Sequence, residues 1–157
     1  KKSKNQQKIK MKFNFFLLLL SSLIAVALSQ PPLLVKSKIE MYYGNLFWAL
    51  DGDNVDLKQQ GIEWTFEHLH DTIYFISPPG GGYVQYTGPG EQLSITRWPI
   101  PQALWNITVS PLLIYPPILY ICSEFNPTEC ATAFEEKVIA NNRNLSLQQS
   151  WRFESFQ

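Results

Sequence analysis

Two histidines and two cysteines among 157 residues leave the chain short of the nitrogen and sulfur ligands an ordinary zinc site uses, so no metal is expected. Neither Gly-x-Ser-x-Gly nor His-Glu-x-x-His occurs, and no cluster of titratable residues stands out as acid–base machinery; the expectation is a protein without catalytic activity or cofactor. Beyond residue 30 no run carries a sustained helical period with caps. Short stretches rich in Tyr, Phe, Trp, Ile and Val instead alternate with clusters of Gly, Pro, Asn and Asp, the pattern of an all-β chain.

A basic footprint is also missing. Met11 opens "MKFNFFLLLLSSLIAVALSQ", in which Lys12, an apolar run from Phe13 to Leu20 and the small-residue stretch "ALS" form a secretory signal peptide over residues 11–29. The run is short and poorly flanked for a membrane span, so cleavage near Ser29 is the expectation and a hydrophobic anchor the alternative. Residues 1–10, "KKSKNQQKIK", read as an upstream extension. Residues 30–157 then carry seven basic and 13 acidic side chains, a formal charge of −6, which argues against nucleic acid as a partner. They are enough for one domain, expected as a secreted, extracellular monomer that does not span a membrane. In that compartment Cys122 and Cys130 suit a local bridge across "CSEFNPTEC", two free thiols being the alternative, and "NIT" at Asn106 and "NLS" at Asn144 are glycosylation sequons.

What the chain does have is a recurring Trp-x-apolar phrase: "WTF" at Trp64, "WNI" at Trp105 and "WRF" at Trp151, spaced 41 and 46 residues apart. Period-two alternation sends Trp64 and Phe66, Trp105 and Ile107, and Trp151 and Phe153 to one face and turns Thr65, Asn106 and Arg152 outward. Before each station come three further strand-like runs. They are "KIEMYY", "LFWAL" and "VDL"; then "TIYFI", "YVQY" and "LSI"; then "LLIY", "LYIC" and either "KVI" or "LSL". "ATAFEEKVIA" at 131–140 reads equally as a helix or as an apolar strand with a polar lead-in. Three pseudo-repeats of about four strands are the arithmetic of a β-trefoil, since a unit of that size cannot bury its apolar face alone. The extra residues of the third unit are expected in an enlarged loop carrying the disulfide.

"LFWALDGDNVDLKQQGIEWTFE", "GGYVQYTGPGEQLSITRWPIPQALWNI" and "LSLQQSWRFE" resemble the fungal β-trefoil serine-peptidase inhibitors of the cospin type, and more distantly ricin B-like lectins and mycocypin inhibitors. The first resemblance implies a secreted inhibitor that blocks an extracellular serine peptidase with an exposed loop. The second implies glycan binding, but only Gln149-Ser150-Trp151 satisfies the lectins' Gln-x-Trp; the other units read Ile62-Glu63-Trp64 and Ala103-Leu104-Trp105. Asp51, Trp48 and Asn54 form the nearest match to a lectin's sugar-binding group, in a different order.

Two loops are candidates for contact with a peptidase. In "ITRWPIPQ", Arg97 and Trp98 stand beside Pro99 and Pro101, a stiff extended stretch with one cation, which lowers the entropy lost on docking and suits an acidic specificity pocket. In "SPPGGGYV", Gly80, Gly81 and Gly82 permit close backbone approach, and glycine-rich loops enter peptidase clefts in the mycocypin-like relatives. For the alternative, carbohydrate binding, Trp48, Tyr83 and Tyr86 are the aromatics expected to stack on sugar faces. A trefoil serving only as the scaffold of a secreted effector is the third reading. "DGDNVD", with Asp51, Asp53 and Asp56, lacks the loop length and terminal Glu of an EF-hand and reads as a hairpin turn. "HLHD" at 68–71 reads as a polar turn, with both histidines on one face if extended.

Overall fold

The computed structural model describes residues 33–112 and 114–154. The upstream extension expected at 1–10 and the signal peptide expected at 11–29 lie outside the described residues. Twelve strands follow in order: β1 (Leu34–Met41), β2 (Phe47–Asp51), β3 (Asn54–Lys58), β4 (Trp64–His70), β5 (Ile73–Ser77), β6 (Tyr83–Gln85), β7 (Ser94–Thr96), β8 (Leu104–Val109), β9 (Leu119–Ser123), β10 (Glu129–Phe134), β11 (Lys137–Asn142) and β12 (Trp151–Glu154). Helix among the described residues is confined to two 3-10 turns, Pro101–Ala103 and Leu147–Gln149, so none is long and apolar enough to cross a membrane.

Six strands form a closed antiparallel ring. β1 pairs with β4, β4 with β5, β5 with β8, β8 with β9, β9 with β12, and β12 returns to β1 in the register Lys38 to Glu154 and Met41 to Trp151. Closure leaves these six strands no free edge, the arrangement that best resists pairing with another chain. The other six form the hairpins β2–β3, β6–β7 and β10–β11. These join one another through Asn54 opposite Ser94 and Lys137 opposite Asp56. Two further bonds, Val55 N–H to the Leu93 carbonyl and Leu93 N–H to the Val138 carbonyl, both 2.9 Å, tie the three hairpins together. A six-stranded barrel with three hairpins is consistent with a β-trefoil.

The alternation read in the Trp phrases accounts for the core. Trp64, Trp105 and Trp151 are fully buried, while Thr65, Asn106 and Arg152 between them and the next apolar residue are half-exposed. Each indole N–H donates to a backbone carbonyl in the second strand of its own unit: Trp64 to Trp48 (3.3 Å), Trp105 to Val84 (2.8 Å) and Trp151 to Ala131 (3.0 Å). At these acceptor positions the side chains run from large to small. The ring of Trp48 stands edge-on to both Trp64 and Trp151, with centroids 5.8 and 5.4 Å away. Its own Nε1 is buried without a partner.

The third unit departs from the sequence reading. "LYIC" belongs to β9, the unit's first strand rather than its second, and "ATAFEEKVIA" is neither helix nor single strand but lies within the β10–β11 hairpin. "LLIY" gives no strand among the described residues: Leu112, Ile114 and Tyr115 lie between β8 and β9, where Pro111, Pro116 and Pro117 lack the N–H donors a ladder requires. The enlarged disulfide loop is corrected as well. Cys122 and Cys130 are bonded to each other and face each other in register across β9 and β10. The connection they bracket, 124–128, is five residues long, as are 42–46 and 78–82 at the matching places in the other units. The extra length sits in the nine residues 110–118, where the first unit has only Asp71 and Thr72.

The β10–β11 turn holds Glu135 at φ +53, a left-handed conformation that costs a residue with a Cβ about 1 kcal/mol. Glu135→Gly is therefore expected to stabilise the fold by about 0.5–1 kcal/mol, part of the gain being offset by the freer unfolded chain. A rise in the thermal midpoint would register it, and an unchanged or lower midpoint would contradict the strain.

Candidate functional site

The β6–β7 hairpin brings the two loops selected from the sequence side by side. Tyr83 pairs with Thr96, so Gly80–Gly82, just before β6, lie next to Arg97 and Trp98, just after β7. All three glycines have positive φ, +99, +95 and +86. At Gly82 the need for glycine is steric as well, because a Cβ would stand 2.6 Å from the Ile95 methyl carbon and 2.9 Å from the Thr96 carbonyl oxygen. Beyond it, Arg97 and Pro99 are exposed, and Trp98 is 72% exposed rather than packed inward.

Just beyond lies an open cleft of about 420 Å³ lined by Gln85, Tyr86, Thr87, Ile100, Gln102 and Phe125. Three segments far apart in sequence build it. Tyr86 N–H donates to the Gln102 carbonyl (2.8 Å), fastening the end of β6 to the 3-10 turn before β8. The Asn126 side-chain amide donates to the Tyr86 hydroxyl (3.1 Å), fastening the β9–β10 connection to the same place. That connection is itself held by Asn126 N–H to Ser123 Oγ (3.1 Å) and Thr128 Oγ1 to Asn126 Oδ1 (2.9 Å). Phe125, 55% exposed, tilts over Tyr86 with ring centroids 6.2 Å apart. Gln85 donates to Ser94 Oγ (3.0 Å), and among the described residues the Gln102 carboxamide has no protein partner.

The lining thus combines an aromatic face with neutral amide and hydroxyl groups and carries no charged side chain. Such a surface can take a ligand with one apolar face and several hydroxyls around it.

Of the aromatics expected to stack on sugars, Trp48 is corrected: it is fully buried in the core and has no face to offer. Tyr83 is half-buried against Phe75, ring centroids 4.9 Å apart, and Tyr86 lines the cleft but is only 8% exposed. Phe125, which the sequence reading passed over, supplies the exposed ring.

Gln149 of Gln-x-Trp is fully buried. Its Oε1 accepts from Asn144 and Leu145 N–H, both 3.0 Å, and its Nε2 donates to Thr132 Oγ1 (3.0 Å) and the Asn142 carbonyl (2.9 Å), so it holds the β11–β12 connection in shape. Ile62 and Ala103 at its place in the other units cannot do this.

Asp51 and Asn54 flank the two-residue turn of β2–β3, with Gly52 at φ +60, while Asp56 accepts from Gln92 (2.6 Å). No group of three or more His, Cys, Asp or Glu among the described residues could hold a metal ion. His68 and His70 do not share a simple alternating face, because the β4–β5 register shifts between them; both lean on Asp71 in the turn. Asn106 accepts from Thr72 Oγ1 (2.9 Å) and borders a small hollow with Ser123 and Arg143, whereas Asn144 is exposed and accepts from Ser146 N–H (2.9 Å).

The all-β barrel aligns with solved structures of the trefoil class, although no family model and no curated protein sequence matches the chain. It is similar to the designed three-fold symmetric protein ThreeFoil (TM-score 0.64, 12% identity, 77% of this chain and 99% of that one). It is also similar to SeviL bound to the asialo-GM1 saccharide (0.66, 11%, 80% and 100%). A third likeness is to the Polyporus squamosus lectin bound to Neu5Acα2-6Galβ1-4GlcNAc (0.60, 18%, 80% and 50%). The chain thus spans half of that lectin, and it spans only 17% of a mosquitocidal holotoxin with which it also aligns (0.67, 13%, 78% of this chain).

Proposed function

We propose that the chain is a secreted β-trefoil of three pseudo-repeats that binds a carbohydrate and catalyses nothing. The observation that carries this reading is the cleft lined by the exposed Phe125 ring and by the neutral polar side chains of Gln85, Thr87 and Gln102. Two of the similar structures were solved with saccharides bound, which supports the same class of ligand. Because no charged side chain lines the cleft, a neutral saccharide suits it better than a sialylated one, whose carboxylate would find no cation there.

Titration calorimetry against neutral and sialylated oligosaccharides chosen from a glycan array tests the proposal. Phe125→Ala and Gln102→Ala are each expected to weaken binding of a neutral sugar at least tenfold, about 1.4 kcal/mol, with the fold intact by circular dichroism. Undiminished affinity in both variants, or no saccharide bound at all, would overturn it.

One observation favours a second reading, peptidase inhibition: Gly80–Gly82 and the exposed Arg97 lie together at the end of one hairpin. Stoichiometric inhibition of a trypsin-like enzyme, lost in Arg97→Ala and indifferent to free sugar, would establish that reading instead.

A further inference from the structure

Beyond glycan recognition, we infer that the small hollow bordered by β8, β9 and the residue after β11 binds a single oxyanion group, a sulfate or a carboxylate. The hollow has a volume of about 50 Å³, is lined by Asn106, Thr108, Cys122, Ser123, Pro127 and Arg143, and shares no residue with the cleft at Phe125.

The strand register assembles it. Asn106 and Thr108 are outward residues of β8, alternating with Trp105 and Ile107 in the core, and Asn106 stands opposite Cys122 of β9. Cys122 is bonded to Cys130, which ties that wall to β10. Arg143 is held beside the 124–128 connection by its own N–H, which donates to the Thr128 carbonyl (2.7 Å).

The polar side chains of the lining all have donors to spare. Ser123 is 1% exposed and its oxygen accepts from Asn126 N–H (3.1 Å), so its own hydrogen points elsewhere and meets no protein acceptor among the described residues. Asn106 uses its carbonyl oxygen to accept from Thr72 Oγ1 (2.9 Å), which leaves the carboxamide hydrogens uncommitted. The Thr108 hydroxyl and the Arg143 guanidinium also lack a protein partner among the described residues, and Arg143 enters no ion pair there.

Buried donors are as a rule satisfied, so a hydroxyl hydrogen left over inside a hollow implies an acceptor that the protein does not supply. Three kinds of neutral donor beside a permanent cation are complementary to an anion, and the planar guanidinium suits an oxyanion in particular. No acidic side chain lines the hollow; Glu124 and Glu129, at and just after the two ends of the connection, stay outside it. The described residues carry 13 acidic and seven basic side chains, which gives no general attraction for anions, so a response confined to this hollow is diagnostic. The Asn106 nitrogen is also the atom that a glycan would take at the sequon, so a glycosylated Asn106 and an occupied hollow exclude each other.

The test uses the full chain made in a bacterial host that forms disulfides and adds no N-glycan. It is titrated with sodium sulfate and separately with sodium acetate, at an ionic strength held constant with chloride, and followed by nitrogen–proton NMR. Saturable shifts of the Asn106 carboxamide and the Arg143 Nε–H are expected with at least one of the two salts, and the tighter of the two tells sulfate from carboxylate. Arg143→Gln removes the cation; Asn106→Asp keeps the bond from Thr72 but sets a like charge on the wall. Each is expected to weaken binding by about tenfold or more with the backbone spectrum otherwise preserved. Phe125→Ala should lose sugar and keep the oxyanion, so failure here and failure of the carbohydrate reading remain distinguishable. Shifts that stay linear with both salts, or a saturable response that both hollow variants retain, would overturn the inference.

Discussion

Alanine at Trp105 should remove about 4 kcal/mol of stability, and phenylalanine about 2 kcal/mol, in equilibrium urea unfolding followed by circular dichroism. Alanine leaves a cavity in the core and strands the Val84 carbonyl that the indole N–H satisfies at 2.8 Å; phenylalanine refills most of the space but still strands the carbonyl. Trp48 supplies the internal comparison. It is as deeply buried, yet its N–H has no partner, so Trp48→Phe sheds an unsatisfied donor along with some contact area and should cost less than about 1 kcal/mol. Equal losses for the two phenylalanine variants would mean that volume alone governs these positions. A whole domain is stable by only about 5–15 kcal/mol, so the alanine variant alone should shift the midpoint far enough to read without ambiguity.

Arg152→Ala should cost about 2–4 kcal/mol through a different cause. The guanidinium grips Glu40 with both ends, Nε to Oε2 at 2.6 Å and a terminal nitrogen to Oε1 at 2.7 Å, across the register that closes the ring. Side-chain exposure is 8% for Glu40 and 33% for Arg152. Removing the arginine leaves a carboxylate buried without its counterion, whereas Glu40→Gln leaves a cation that can reach water; the arginine variant should therefore be the worse of the two by at least 1 kcal/mol.

The hydrogen bond to Glu40 is the largest influence and raises the Arg152 pKa; burial opposes it, and the nearby negative charge of Glu40 and Glu154 adds to the rise. A raised pKa places the stabilisation fully below the ordinary guanidinium range and lets it fade only at more alkaline pH. The gap between the unaltered protein and Arg152→Ala should accordingly stay constant from neutral to moderately alkaline conditions. A gap that narrows over that range would point to another source for the stabilisation.

The parts of this molecule that depend on local alternation were open to sequence reading. Trp64, Trp105 and Trp151 each have an apolar residue two places on, and period two is enough to put both inside. "LLIY" shows where such reading fails: its composition suits a strand, but flanking prolines deny it a ladder, so "LYIC" takes the first place and β10 the second, while "KVI" keeps the third and Trp151 the fourth.

The cleft was invisible for a different reason. Tyr86, Gln102 and Phe125 come together only through backbone and side-chain bonds between three connections, and nothing in the local pattern of any one connection reports the others. Trp48, grouped in the sequence with Asp51 and Asn54, reads as a surface aromatic, yet in β2 it is fully buried in the core. Cys122 and Cys130 were legible as a pair, but their loop was not legible as short.

The ring has a temporal corollary. A polypeptide is made from its N-terminus, so β1 emerges among the first barrel strands while its partner β12, Trp151–Glu154, comes last. Until those four residues leave the ribosome, β1 and β9 each keep an open side, and a nascent chain presents two unsatisfied borders to its neighbours. A chain stalled or truncated before Trp151 is thus a template for intermolecular strand addition, and synthesis must outrun that encounter for the barrel to close on itself.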